Sequence, residues 1–300
     1  MKILSLFITT IISLTLSADY SNHKNAQSVI DELVIDHGFD ESYVISILKD
    51  AKRRDEMLRS VANPAEKTKT WDEYKEIFLT SKRIREGRKF QDAYINTLEK
   101  AEEEFGVPKE VIVAIFAIET NFGGNKGSHR VIDSLATLGF DDPRRSKFFR
   151  SQLIEFFLLA RENNMNILEV KGSYAGAMGL PQFIAESYRK DAIDYDGDGY
   201  IDLFNSVEDS IGSIANYLVN RGWKREGSIV VQSFPNNVRK YYKPHVSLTH
   251  FIPLKFVEKG KELHFIGDDN FRAIARYNIS DVYAMAVYYL SEEYKKWKNY

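Results

Sequence analysis

Residues 109–119 read KEVIVAIFAIE, and the run at 111–118 has no polar face. A helix that is apolar on every side must be enclosed by the rest of the fold, so this segment dictates a protein built around it. Pro108 suits the start of a helix, where its missing N–H is not needed, and Glu110 places an acid in the first turn. Both favour a buried helix. A buried strand is the alternative, because Val and Ile are frequent in the run. The segment ends in Glu119, and Thr120-Asn121-Phe122-Gly123-Gly124 reads as a helix stop and turn.

Glu119 therefore sits at the end of an apolar helix. Apolar surroundings disfavour its charged form, and the negative end of the helix dipole disfavours it again. Together they raise its pKa, by about 1–3 units in a dry site. A carboxylic acid still protonated near neutral pH is a general acid suited to glycosidic bonds. Periodicity alone also accommodates a Glu that simply points to solvent at a helix end.

Around this segment the chain reads as mainly α with a small β component. Helical spacing runs through 25–60, Asn63-Pro64 breaks the chain, and 71–104 again looks helical. Further helices fit 146–163, 181–191, 206–221 and 280–297. Short strands fit 228–232, 250–257 and 263–266. The expected organisation is a helical domain at 19–104, a core formed by 105–223 and 267–300, and a small β-rich insertion at 224–266.

Residues 1–18, MKILSLFITTIISLTLSA, carry one Lys before an apolar run at 3–16 and small residues at Ser17 and Ala18. That is the layout of an export signal, and the run is short for a spanning helix. An uncleaved anchor is the other reading. Export makes the periplasm or exterior the expected compartment.

Two further segments carry chemistry. GSYAGAMGLPQF at 172–183 spaces Gly172, Gly176 and Gly179 among small residues, which lets backbone approach a ligand or another part of the chain closely. A tight helix–helix crossing is the competing explanation. Gln182, after Pro181, has an amide suited to a sugar or peptide.

DYDGDGYIDLFNSVED at 194–209 places Asp194, Asp196 and Asp198 at positions 1, 3 and 5 of an EF-hand-like loop. Gly199 falls at 6, Tyr200 at 7 offers its backbone carbonyl, and Asp202 is at 9. Position 12 is Asn205, so the closing carboxylate must be Asp209 or Glu208. Carboxylates this close repel without a cation, so a structural Ca2+ is expected, with a solvated Asp-Gly turn as the alternative.

Several classes are excluded or unsupported. The chain has no Cys, which removes disulfides, thiol catalysis, Cys-ligated zinc and iron–sulfur centres. With 41 Lys+Arg against 43 Asp+Glu, it lacks the basic excess of a nucleic-acid binder. No HExxH, GxSxG or phosphate-cradling Gly-Lys-Ser/Thr motif occurs, so neither a redox nor a nucleotide cofactor is expected.

Several segments match one family in order and spacing: NPAEK then WDEYKEIF (63–78), GVPKEVIVAIFAIETNFGG (106–124), SLATLGFDDPRR (134–145), KGSYAGAMGLPQF (171–183), DYDGDGYIDLFNSVED (194–209), IGSIANYLVNRGW (211–223) and RYNISDVYAMAVYYL (276–290). From about residue 28 to the C-terminus the chain resembles the lytic murein transglycosylases of the B type. The resemblance implies a lysozyme-like helical core with an EF-hand-like calcium site, and cleavage of the MurNAc–GlcNAc bond of peptidoglycan with formation of 1,6-anhydroMurNAc ends.

By motif, it implies that Glu119 is the catalytic acid/base. It places Ser173 and Gln182 in the cleft and Tyr217, Tyr277 and Tyr283 around the sugar subsites. Arg144 and Arg145 face the anionic stem peptide, and Asp209 is the late calcium carboxylate. Glycan strands are the implied partner, with cell-wall synthesis or remodelling proteins as further candidates. The best-known members carry a lipid-attachment Cys. Its absence here implies a soluble exported form. A muramidase that hydrolyses the same bond, or a non-enzymatic calcium-stabilised peptidoglycan-binding protein, would share much of this pattern.

Overall fold

The computed structural model describes residues 19–233 and 252–296. The chain passes through α1 (Ala26–Asp31, continued by a π turn at Glu32–Asp36), α2 (Glu41–Asp50), α3 (Asp55–Ala62) and the single turn α4 (Ala65–Thr68). Next come α5 (Trp71–Phe78), α6 (Ser81–Ala93), α7 (Ile95–Phe105) and α8 (Lys109–Thr120). There follow β1 (His129–Arg130), α9 (Val131–Asp141), α10 (Ser146–Glu162), β2 (Lys171–Gly172), α11 (Ala185–Asp191) and α12 (Val207–Asn220). The chain continues through β3 (Val230–Ser233), β4 (Ile252–Glu258), β5 (Lys261–Gly267), α13 (Asp269–Asn278) and α14 (Asp281–Lys295).

The apolar segment is α8, a helix and not a strand. It is buried at every position from Lys109 to Ala117 and again at Thr120, and packs against α14, α6, α7 and α12. A buried Lys109 is tolerated because its Nζ pairs with Glu102 at 2.9 Å.

The helical stretches are more broken than periodicity suggests. The interval 71–104 is divided into α5, α6 and α7, and side chains cap the starts of the first two. Thr70 forms a capping box with Glu73, and the Thr80 hydroxyl accepts from the Arg83 N–H. The expected helix at 181–191 begins only at Ala185, since Gln182 has φ of 53° and takes the chain out of helical geometry. Residues 269–278 form a helix that pattern reading did not separate. Its sequence is largely polar, and its start is set by the Asp268 side chain.

Three strands appear where a β-rich insertion was expected, in the antiparallel order β3-β5-β4. Leu254 and Phe256 point inward from β4. Phe256 packs on Trp71 of α5 at 5.2 Å, and Lys75 pairs with Glu258 at 2.6 Å. The export-signal segment 1–18 and the stretch 234–251 of the insertion lie outside the described residues. Among the described residues no helix is long and apolar enough to cross a membrane.

The glycine-rich segment approaches another part of this chain's own backbone. Gly179 has φ of 72°, and a Cβ there would lie 2.5 Å from the Leu203 carbonyl oxygen. The Leu180 N–H donates to that same carbonyl at 2.7 Å. The loop is thus docked on the acidic loop. Gly179→Ala is expected to destabilise the protein by about 2–4 kcal/mol, because both the φ and the contact oppose a methyl group. Urea unfolding checks this, and an unchanged midpoint contradicts it.

Candidate active site

The last turn of α8 ends through two left-handed residues, Asn121 and Phe122, with φ of 50° and 59°. Thr120 donates its hydroxyl to the Leu180 carbonyl at 3.1 Å and accepts from the Gly123 N–H at 3.0 Å. This ties the end of the buried helix to the glycine-rich loop and leaves Glu119 partly exposed at the junction.

Glu119 Oε1 accepts a 2.6 Å hydrogen bond from the Tyr283 hydroxyl of α14. The Tyr277 ring lies 6.1 Å from that of Tyr283 and nearly parallel to it, and its hydroxyl donates to the Pro181 carbonyl at 2.7 Å. Tyr217 of α12 is 4.7 Å from Tyr277 and donates to the Arg276 carbonyl at 3.0 Å. Phe183 closes the cluster at 5.4 Å from Tyr217. Behind Tyr217 the Arg221 guanidinium stacks at 4.3 Å, held by the buried Asp191 carboxylate at 2.9 Å. Three tyrosines from three elements thus form a row that ends at one carboxyl.

Burial in this dense, largely aromatic wall pushes Glu119 up to about 8, and the negative charge of Glu66 pushes the same way. The Tyr283 hydrogen bond acts against them, because it stabilises the carboxylate. Although one side of Glu119 remains accessible, protein atoms surround most of the group, and that surrounding is what desolvates it. Tyr277 and Tyr283 are held well above the usual phenol range, first by burial and then by the neighbouring carboxylate. Tyr283 therefore remains a proton donor in its hydrogen bond.

The expected site residues are not all placed alike. Tyr283 is fully buried, so it serves the carboxyl and offers no face to a ligand. Tyr217 is nearly so, at 6% exposure. Gln182 gives its amide nitrogen to the carbonyls of Gly179 and Lys126, at 2.8 and 3.2 Å. Ser173 accepts from the N–H groups of Ala175 and Ala177 at 3.2 and 3.1 Å and so shapes the loop. Arg144 and Arg145 lie on the exposed turn between α9 and α10, where their N–H groups donate to Asp142 and Arg145 stacks on Phe148.

Two groups that pattern reading did not single out also enter this region. Glu66 lies on α4, and Tyr174, partly exposed in the glycine-rich loop, is within reach of its charge. An open hollow of about 780 Å³ adjoins the far side of Tyr217 and is lined among others by Ile184, Arg276 and Ile279. Glu119 is not among its walls.

In the acidic loop the carboxylates of Asp194, Asp196 and Asp209 bring one oxygen each within 4.8 Å of the others. Asp209, and not Glu208, is the late carboxylate of this group. Asp209 is fully buried and accepts from the N–H groups of Tyr195, Asp196 and Asp202 at 2.7, 3.3 and 2.8 Å. Asp198 accepts from the Tyr200 N–H at 2.8 Å and, with Tyr200, stands on the exposed side of the loop.

A buried helix ending in a carboxyl whose pKa is raised, with a glycine-rich loop and an aromatic row around it, sits within a mainly helical, lysozyme-like fold. The chain belongs to the transglycosylase SLT domain family, whose model matches residues 21–292. It is 37% identical over 305 residues to membrane-bound lytic murein transglycosylase B of Escherichia coli, covering 92% of this chain and 84% of that protein. Its fold matches catenated lytic transglycosylase SltB1 of Pseudomonas aeruginosa with a TM-score of 0.84 at 37% identity, covering 94% of this chain and all of that one. It matches Escherichia coli Slt35 in complex with calcium with a TM-score of 0.83 at 35% identity, over 94% of this chain and 96% of that chain.

The Tyr283 contact makes a signed prediction. Tyr283→Phe removes the group that favours the carboxylate, so Glu119 is expected to titrate about one unit higher. Turnover should fall by about tenfold, as the conjugate base loses its donor. A pH–rate profile whose basic limb stays in place or moves down contradicts this role.

Proposed function

We propose that this protein cleaves the MurNAc–GlcNAc bond of peptidoglycan, leaves 1,6-anhydroMurNAc ends, and uses Glu119 as its single acid and base. The observation that carries the reading is a carboxyl pushed up to about 8 at the end of a buried helix, bonded to Tyr283. Protonated Glu119 gives its proton to the glycosidic oxygen as the bond from C1 breaks. The N-acetyl oxygen of the same MurNAc meets the electron-poor C1. Glu119, now a carboxylate, takes the proton of the C6 hydroxyl, whose oxygen closes on C1. The proton returns to where it began and no water is consumed. Intramolecular attack by a neighbouring hydroxyl gains from high effective molarity.

The remaining site residues serve binding. Gln182 offers its amide oxygen to a sugar or peptide N–H, and Ser173 holds the loop that carries it. Tyr217 and Tyr277 form the aromatic wall, with Tyr283 behind it holding the carboxyl, and the hollow beside Tyr217 gives room for the strand beyond the bond. Arg144 and Arg145 meet stem-peptide carboxylates. Asp194, Asp196 and Asp209, with Asp198 and the Tyr200 carbonyl, are the oxygen donors of a structural Ca2+. All-oxygen donors of this kind suit a hard cation, and the relative Slt35 is described in complex with calcium. A helical domain at 19–104, a catalytic core and a β-rich insertion remain the proposed division of labour. A leader at 1–18 directs the chain to the periplasm.

Mass spectrometry of the sugars released from purified sacculi tests the chemistry. Anhydro ends, lighter by one water than reducing ends, are the expected product. Reducing ends alone would assign the protein as a muramidase, and intact sacculi would leave only a binding role.

A further inference from the structure

The hollow of about 780 Å³ beside Tyr217 is walled by residues of α11, α12, α13, β4 and α14. It continues the aromatic row, since the Tyr217 ring lies 4.7 Å from that of Tyr277. Two of its charged groups are already matched. Arg221 is held by both oxygens of the buried Asp191 carboxylate, at 2.9 and 3.2 Å, and Glu186 pairs with Lys190 at 2.6 Å. Arg276 and Asp281 differ. Both are exposed, and neither forms an ion pair among the described residues. Arg276 is nonetheless fixed at two points. Its Nη1 donates to the Arg221 carbonyl at 3.0 Å, and its own carbonyl accepts from the Tyr217 hydroxyl at 3.0 Å. Ile279 stands on the same rim, 84% exposed and with φ of 45°. A β-branched residue in that region is strained, and here burial offers nothing in return.

We propose that this hollow is a binding station for a stem peptide of the glycan strand, in which Arg276 takes a carboxylate, Asp281 an amine and Ile279 the apolar side of the peptide. A rim that offers an unpaired cation and an unpaired anion, among the described residues, fits a ligand of both signs. A stem peptide with a diamino acid carries a carboxylate and an amine beside small apolar residues. The guanidinium has N–H groups beyond the one spent on Arg221 and can meet a carboxylate with two of them. Its two anchors lower the ordering cost of binding. Strain kept at an exposed residue is accounted for where the side chain meets a ligand. The station is built on other elements than the α9–α10 turn of Arg144 and Arg145, so it takes a second peptide. This role rests on the reading of the protein as one that cleaves glycan strands.

Glycan strands with their peptides intact, compared with strands stripped by an amidase, test this. KM of the parent protein should be lower on the intact strands. Arg276→Gln should raise KM on intact strands about tenfold more than on stripped ones, with kcat moving less than KM. Ile279→Gly separates binding from stability. Glycine accepts the left-handed φ, so the urea midpoint should be no lower than the parent's. KM on intact strands should still rise by about threefold as the apolar contact is lost, whereas a merely structural residue would leave it in place. Calorimetric titration with a synthetic Ala-Glu-diaminopimelate-Ala peptide needs no turnover. The parent should bind it, and Arg276→Gln and Asp281→Asn should each bind it about tenfold more weakly. An intact-to-stripped KM ratio equal in the parent and Arg276→Gln, or a peptide that the parent fails to bind or that all three bind alike, overturns the proposal. So does discrimination lost only in Arg144→Gln, which would place the peptide on the α9–α10 turn. Peptide binding without cleavage of either strand would instead sink the cleavage reading and leave the station standing.

Discussion

Glu119→Gln is expected to leave sacculi essentially uncleaved, with a rate about 10³–10⁴-fold below that of the parent protein, because the amide can neither give nor take the proton. The same substitution should make the protein more stable in alkaline buffer. Glu119 titrates near 4.5 when unfolded and about 8 when folded. Between those values the native state holds a proton that the unfolded chain has released, so stability falls as pH rises through the window. The total fall attributable to this group is about 5 kcal/mol. The Gln variant lacks that decline, so its unfolding midpoint should exceed the parent's most clearly above pH 8 and least near pH 4. Sacculus digestion and urea unfolding across the pH range check both parts. Equal slopes of stability against pH in the two proteins would show that the proton is not held at this position.

The second large effect concerns the acidic loop. Calcium at about a hundredfold excess over its dissociation constant should add about 2.7 kcal/mol of stability, a rise in Tm of roughly 4 °C for a chain of this size. Asp196→Asn should remove most of that gain while changing the calcium-free Tm little, since Asp196 is exposed. Asp209→Ala is a different case. It leaves three backbone N–H groups without their acceptor and should destabilise the protein with or without the ion. The loop supports the glycine-rich segment through the bond between the Leu180 N–H and the Leu203 carbonyl. Chelation should therefore also slow glycan cleavage. A Tm indifferent to calcium in the parent protein would refute the site.

Much of the fold was legible because it depends on local pattern. The apolar run of α8, the turn after Glu119, and the three strands of the insertion fell close to their expected positions. The interruption between α5 and α6 was harder to see, because Thr80 acts through a single side-chain cap that periodicity averages away. Helix α13 was missed for a related reason. Only Asn270, Phe271, Ala273 and Ile274 are buried along it, too few to stand out in a polar segment. At the site, type and spacing marked the acidic loop, whereas for Glu119 they also accommodated a helix-end Glu pointing to solvent, and the motif resemblance singled it out. The motif resemblance pointed to Tyr277 and Tyr283, but not to the division of labour between them.

By itself the sequence determined that an apolar segment would end in an acid, and that carboxylates at alternate positions would crowd one loop. Both follow from residues within a few turns of one another, where chain geometry leaves little freedom. Tertiary structure alone decided that Tyr283, 164 residues away, would donate to that acid. It also decided that Glu66 would be pinned by Asn278 across 212 residues. Such meetings depend on how whole helices pack against one another, and no local preference of the chain specifies them.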